Sequence, residues 1–466
     1  MSRLVIVSNR VAIPEKDEKL RAGGLEVAVE AAFKRRSGIW FGWSGKITAR
    51  SRIVTREIVR DNVTYITLDL SKEDHQEYYN GFANRVLWPI LHYRIDLAEF
   101  SRRDLSGYMR VNDHFARELH NVLKPEDIVW VHDYHLMPLA KALRERGHEN
   151  RIGFFLHIPC PPPEMLTALP HHERLIPSLC NYDLVGFQTG DDAFNFSRYL
   201  TRECGLGSHD FNYALAERTV RVDAFPVGIE TAAFARLAQR SQRLPFVQNV
   251  LASLAGRALI IGVDRLDYSK GIEPRLSAFE RFLQTNREWR GKVTYLQIAP
   301  KSRSDIPEYA DMAQAIGSTA GRINGAYGEA DWTPIRYVNR AYGRATLAGL
   351  YRGARVGLVT PLRDGMNLVA KEYIAAQNPE DPGVLILSRF AGAAHECREA
   401  LLVNPYDPDS VALAIGQALS MPLGERRERY EAIFRTLSHH DIETWAARFL
   451  GALQHRPATS AGHDPA

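Results

Sequence analysis

Apolar runs without polar alternation recur along the chain. The first series is Leu4–Ser8, Asp127–Val131, Arg151–Ile158, Asp183–Phe187 and Asp223–Val227. A second follows at Ala258–Val263, Val293–Ala299, the run that opens at Arg355, and Val384–Ser388. Runs this short and this uniformly apolar suit strands buried on both faces. Between them lie segments of helical period, among them Leu25–Lys34, the stretch after Asn367 and the amphipathic Ile442–Leu453. Strand-helix alternation of this kind predicts α/β architecture with parallel sheets. The segment Pro226-Val227-Gly228-Ile229 separates the two series. The expected layout is therefore residues 1–228, residues 229–440, a C-terminal helix over 441–455 packing back on the first domain, and a disordered tail over 456–466.

Polar residues collect where the strands end. Arg355–Glu372 (RVGLVTPLRDGMNLVAKE) reads as strand, tight turn and helix. In open α/β sheets such turns sit at the carboxyl edge, where ligands bind. Gly365 lets backbone approach a ligand, and the N–H groups of Asn367, Leu368 and Val369 can face an anion. Asp364 and Glu372 flank that cradle as acceptors for hydroxyls. After Val263, Arg265 and Lys270 flank a second turn, where two cations could reach a pyrophosphate. Lys301 and Arg303 follow the strand Val293–Ala299. In the first series Arg10, Asp133 and His157 stand at strand ends, and Gly23-Gly24 opens a helix without matching the GxGxxG dinucleotide fingerprint. The aromatic stretches 39–45 and 78–93 hold Trp40, Trp43, Phe82, Trp88 and Tyr93, which suit either core packing or stacking on sugar rings.

Composition narrows the class. At 466 residues the chain is long for a single core, so two domains are expected. A net charge of +4 is small for that length and gives no reason to expect nucleic acid. The four cysteines show no CxxC or zinc spacing, which fits a reducing compartment. No apolar run is long enough to span a bilayer and no signal peptide is evident, so a cytoplasmic location is expected. His132-Asp133-Tyr134-His135 lacks a companion such as HExxH. The DxD pattern of metal-dependent glycosyltransferases occurs at Asp407-Pro408-Asp409, in a proline turn. Two doubly wound halves with ligand residues at strand ends imply two Rossmann-like parallel-sheet domains facing a cleft, the GT-B glycosyltransferase layout, working without a metal.

The motifs carry a closer resemblance over nearly the whole length. SNR (Ser8–Arg10), AGG (Ala22–Gly24), WFGWSG (Trp40–Gly45) and YYNGFANRVLWP (Tyr78–Pro89) are similar to the trehalose-6-phosphate synthase family. So are VHDYHL, GFFLHIPCPPPE, DRLDYSKG, QIAPKSRSD, GRINGAYG, TPLRDGMNLVAKEY and SRFAGAA, in the family's order. The resemblance implies glucose transfer from UDP-glucose to glucose 6-phosphate with retention, giving α,α-trehalose 6-phosphate and UDP. It implies Gly23, Gly24, Arg265, Lys270, Tyr342, Leu368, Val369, Ala370, Lys371 and Glu372 at the donor. Tyr342 stands where a bacterial relative has Phe. Arg10, Tyr79, Trp88, Asp133 and Arg303 fall to the acceptor. Asp364 and His157 fall to the transferred sugar, and Asp364, Arg265, Lys270, His157 and Asp133 form the catalytic set.

By the same resemblance, attack comes from the front face. The departing phosphate takes the acceptor's proton while the protein supplies charge and positioning. No cofactor is implied, UDP-glucose being a substrate. A homo-oligomer (dimer or tetramer), a part in stress protection and a pathway partner, trehalose-6-phosphate phosphatase, are further implications; membrane and nucleic-acid partners are not. The nearest rival is a glucosyltransferase acting on another phosphorylated acceptor, such as glycerol 3-phosphate, or using another nucleotide-glucose. A catalytically silent sugar-phosphate-binding regulator is the rival from a different class.

Overall fold

A computed structural model describes residues 2–13, 24–34, 36–49, 55–215, 218–301 and 307–455. The chain forms two compact units. The first takes in the N-terminal strand, Leu25–Pro226 and the residues from Trp445 on; the second is built on Val227–Thr444.

The first unit holds a ten-stranded sheet. In chain order its strands are β1 (Leu4–Arg10), β2 (Gly38–Thr48), β3 (Arg56–Arg60), β4 (Val63–Ser71), β5 (Ile128–His132), β6 (Arg151–Phe155), β7 (Leu184–Phe187), β8 (Ser208–His209), β9 (Asn212–Ala214) and β10 (Thr219–Ala224). Across the sheet they run β3-β4-β2-β1-β5-β6-β7-β10-β9-β8. The centre is parallel and both margins are antiparallel, so this sheet is mixed rather than wholly parallel. Strand order reverses between β1 and β5, which makes their carboxyl ends a topological switch point. The last strand of the series lies at 219–224 rather than 223–227. The Asp223 carboxylate accepts the Ala224 N–H at 2.8 Å, and Pro226 has no N–H with which to extend a ladder.

The helix Ile442–Gln454 lies against this sheet. Phe449 stacks on Trp130 at 4.5 Å between centroids and meets Phe155 and Phe225 edge-on. Gly153 and Gly186 leave the space it fills, since a Cβ at either would come within 2.8 Å of its ring. A second feature is a π-helix, His75–Leu87, continuous with short α-helical turns at both ends. Arg110 of helix Arg102–His120 holds it through ion pairs with Glu77 (2.9 Å) and with Asp74 (2.6 Å) of the turn that precedes it. Long π-helical runs are rare and gather at functional sites.

The second unit holds a six-stranded, all-parallel sheet of β11 (Ala258–Val263), β12 (Val293–Ile298), β13 (Ile335–Val338), β14 (Val356–Val359), β15 (Val384–Ser388) and β16 (Leu401–Val403). Their order is β13-β12-β11-β14-β15-β16. This is the dinucleotide-fold order, three strands outward, then a return to the far side of the first. Its switch point lies between β11 and β14. Those are the strands whose following turns carry Arg265, Lys270 and Asp364.

Candidate active site

In the second unit two turns meet at that switch point. After β11 the chain forms a single 3-10 turn, Tyr268–Lys270, capped by Asp267, whose Oδ1 accepts the Ser269 N–H at 3.0 Å. Gly271 follows in the left-handed region (φ 62°), and a Cβ there would come within 2.6 Å of the Thr360 carbonyl. After β14, the Leu362 N–H donates to the Ser269 carbonyl at 2.7 Å, so the two turns are joined by backbone. The second turn is also tied to residues 390–393. Asp364 N–H donates to the Phe390 carbonyl (3.1 Å), and Ala393 N–H donates to that of Met366 (2.8 Å).

This scaffold brings Lys270 Nζ to 2.5 Å from Asp364 Oδ2, with both side chains nearly buried. Asn367 Nδ2 also donates to Asp364 Oδ2, at 3.0 Å. Asn367 itself adopts φ 74° and accepts the Ala370 N–H at 3.2 Å, capping helix Leu368–Ala376. That cap engages the amide of Ala370. The N–H groups of Leu368 and Val369 belong to the helix's first turn, where no intrahelical acceptor exists. A helix start beside a lysine is a cationic position suited to a diphosphate. Arg265, exposed, stands on the same turn as Lys270.

Three other donor candidates differ in kind. Burial pushes the Glu372 carboxyl up to about 7, against the pull of Arg344. Lys371, read from sequence as a ligand residue, is fully buried. Its Nζ donates to Glu396 Oε2 at 2.5 Å and to the Val227 carbonyl at 2.7 Å. Its ammonium is therefore structural, and only its backbone is left to meet a ligand. Tyr342 packs against Phe246, the rings tilted by 34° with centroids 5.3 Å apart.

In the first unit the residues gather at the β1/β5 switch point. Arg10 is exposed at the end of β1, with its guanidinium against Gly45, where a Cβ would come within 3.0 Å of Nε. The loop carrying Gly45 is shaped by Ser44 Oγ donating to Asp69 (2.5 Å) and Trp43 Nε1 to the Lys46 carbonyl (2.7 Å). Tyr79, on the π-helix, lies among Trp43, His75 and His135 at 5.3–5.8 Å. Its neighbour Tyr78 donates to Asn9 Oδ1 at 2.8 Å, tying that helix to the residue before Arg10. Asp133 sits at φ 77°, ψ 163°, a conformation that costs a non-glycine residue about 1–3 kcal/mol and concentrates at functional sites. Its Oδ1 accepts the His157 N–H at 3.3 Å. His157 Nε2 pairs with His132 Nδ1 at 2.9 Å, and burial lowers the His157 pKa to about 3, so the ring is neutral. Trp88 is buried among His92 and Tyr134 and is a packing residue first.

Gly23 and Arg303 lie outside the described residues; Gly24 opens helix Gly24–Phe33. Sequence reasoning missed Arg275, Asp264, Gln297 and Thr360, a buried set beneath Lys270. The signal was available for Arg275. It falls on the apolar face Ile272, Leu276, Phe279 of its helix, where a charge needs a partner.

A family model for glycosyltransferase family 20 matches residues 2–455. A trehalose-6-phosphate synthase of Sinorhizobium fredii is 54% identical over 457 residues, covering 97% of this chain and 98% of that protein. The crystal structure of a UDP-forming α,α-trehalose-phosphate synthase from Burkholderia xenovorans, in complex with glucose 6-phosphate, superposes with a TM-score of 0.94. It shares 47% identity and covers 97% of this chain and 100% of its own. The E. coli protein bound with UDP-2-fluoro glucose superposes with a TM-score of 0.93, at 45% identity, covering 98% of this chain and 100% of its own.

Proposed function

The chain belongs to glycosyltransferase family 20, and on that premise we propose that it transfers glucose from UDP-glucose to glucose 6-phosphate with retention, yielding α,α-trehalose 6-phosphate and UDP. The observation that carries the assignment of roles is the Lys270–Asp364 pair, at 2.5 Å beside a helix start at the switch point of a parallel sheet.

The second unit takes the donor. The diphosphate lies against Arg265, Lys270 and the first amides of helix Leu368–Ala376, while Glu372 accepts hydrogen bonds from the ribose hydroxyls. Tyr342, backed by Phe246, borders the base. As the bond from the sugar to phosphate breaks, negative charge grows on the phosphate oxygen. Lys270 and the helix start stabilise it more in the transition state than in the ground state. Asp364, released from Lys270 as the diphosphate competes for the ammonium, is free to accept from hydroxyls of the transferred glucose.

The first unit takes the acceptor. Arg10 and Tyr79 bind the phosphate of glucose 6-phosphate, and Asp133 orients its hydroxyls. His157, neutral through the working pH range, contacts the transferred sugar without acting as an acid. No protein carboxylate attacks the sugar. The acceptor hydroxyl attacks on the face from which UDP leaves, and the departing phosphate takes its proton.

No metal ion is required in this scheme. It is supported by the engagement of both aspartates of the one DxD pattern. Asp407 caps helix Pro408–Ser420 by accepting the Ser410 N–H at 3.1 Å, and Asp409 pairs with Arg281 at 2.5 Å. The product still carries a phosphate monoester, so a phosphatase is the enzyme class that would use it. Turnover assays across UDP-, ADP- and GDP-glucose and across glucose 6-phosphate, glycerol 3-phosphate and free glucose, all in excess EDTA, test the reading. The UDP-glucose and glucose 6-phosphate combination should dominate. Preference for glycerol 3-phosphate, or activity restored only by magnesium, would overturn it.

A further inference from the structure

Beneath the two turns of the donor site lies an arginine with 1% of its surface exposed, Arg275. Its Nε donates to Thr360 Oγ1 at 2.9 Å. Nη1 donates to Asp264 Oδ2 at 2.5 Å and to Gln297 Oε1 at 3.1 Å, and Nη2 donates to the Lys270 carbonyl at 2.9 Å. Asp264 follows β11, Gln297 lies in β12 and Thr360 follows β14. One rigid fork thus links three neighbouring strand ends to the backbone of Lys270. Gly262 makes the space, because a Cβ there would stand 2.9 Å from Nη1 and 2.7 Å from Gln297 Oε1.

The chemistry is costly for a purely structural element. A buried ion pair can commonly be replaced by apolar groups of like volume with no loss of stability. An apolar side chain could not hold four polar acceptors in one plane; a guanidinium, with five donors in fixed geometry, can. The other contacts on Lys270 act in the same sense. Its N–H donates to the Asp267 carbonyl at 3.0 Å, and Gly271 turns the chain immediately after it.

We propose that Arg275 is a positioning residue for glucosyl transfer: by gripping the Lys270 carbonyl and Thr360 together, it fixes the Lys270 ammonium relative to Asp364 and the leaving diphosphate. This rests on the role given to Lys270 above. A displacement of 1 Å in a charge-stabilising group costs far more in rate than in binding, so the effect belongs mainly to kcat.

The test is a double-mutant cycle on the full-length protein. Arg275→Lys keeps the cation opposite Asp264 but cannot reach Thr360, Gln297 and the Lys270 carbonyl together. With Lys270 present, kcat should fall by about 10- to 100-fold, with KM for glucose 6-phosphate unchanged. In the Lys270→Ala background the same substitution should lower kcat by less than about 2-fold, because the group it positions is gone. Equal losses in both backgrounds, or no loss in either, would overturn the proposal. If Arg275→Lys fails to fold, Thr360→Val removes one acceptor at nearly constant volume, and the same coupling is expected at about 3- to 10-fold. A Lys270→Ala enzyme with normal kcat would instead refute the role of Lys270 itself. A slow Lys270→Ala enzyme whose losses add to those of Arg275→Lys would refute only the positioning role.

Discussion

Replacing Lys270 with alanine separates what the ammonium does for the fold from what it does for the reaction. Its Nζ lies 2.5 Å from Asp364 Oδ2, with the two side chains 11% and 13% exposed. A charged hydrogen bond at such a site contributes about 1.5–3 kcal/mol. Asn367 Nδ2 still donates to the same oxygen at 3.0 Å, which places the stability cost of Lys270→Ala at the lower end, about 1.5 kcal/mol. The cost in rate is larger. Leaving-group charge peaks in the transition state, and loss of one preorganised charge there costs about 2–4 kcal/mol, or roughly 30- to 1000-fold in kcat. Denaturant melts give the first quantity, and steady-state UDP release at saturating UDP-glucose and glucose 6-phosphate gives the second. A loss confined to KM would show that Lys270 binds ground and transition states equally, and the catalytic role would fall.

Arg10→Ala should raise KM for glucose 6-phosphate by roughly 10- to 150-fold and leave UDP affinity nearly unchanged; weakened UDP binding in calorimetry would move Arg10 to the donor. Burial raises the Glu372 pKa to about 7 from an ordinary 4.5, so the carboxylate proposed to accept ribose hydroxyls is formed only as pH rises through about 7. UDP should bind more tightly at pH 8 than at pH 6 by a factor that Glu372→Gln removes; comparing the two proteins cancels titration of the diphosphate, and identical pH profiles would contradict the assignment. For stability the sign is opposite, because a raised carboxyl pKa favours the folded state below 4.5 and loses that advantage as pH climbs to about 7. Phe449→Ala, which empties the space over Gly153 and Gly186, should destabilise by about 3–5 kcal/mol. A change below about 1 kcal/mol in a urea melt would mean that the C-terminal helix is not part of that core.

The central strands were legible because burial on both faces writes them as unbroken apolar runs. β1 has Leu4, Val5, Ile6 and Val7 at 0% exposure. The margins were not. In β3, Arg-Glu-Ile-Val-Arg is largely exposed and carries no face-specific pattern, and β16 spans just Leu401–Val403. The π-helix was hidden for another reason. Tyr78–Leu87 is apolar enough for a buried element, but its wider period imitates neither helix nor strand. Among the candidate site residues, strand-end position pointed to Arg10, Asp133, His157, Arg265, Lys270 and Asp364. Position alone could not reveal what each side chain faces. Lys371 resembles a ligand residue until Glu396, distant in sequence, is found at 2.5 Å. The strained backbone of Asp133 and the grip of Arg275 on Lys270 are tertiary facts, of which the second left a trace as a charge on an apolar helix face.

The most direct test of the proposed activity is to identify the product formed from UDP-[1-13C]glucose and glucose 6-phosphate in excess EDTA. NMR should show a single 1,1-linked disaccharide monophosphate, α at both anomeric carbons, with one UDP released per disaccharide. Free glucose with UDP, a β-configured labelled carbon, or another linkage would contradict retaining transfer to glucose 6-phosphate by this protein.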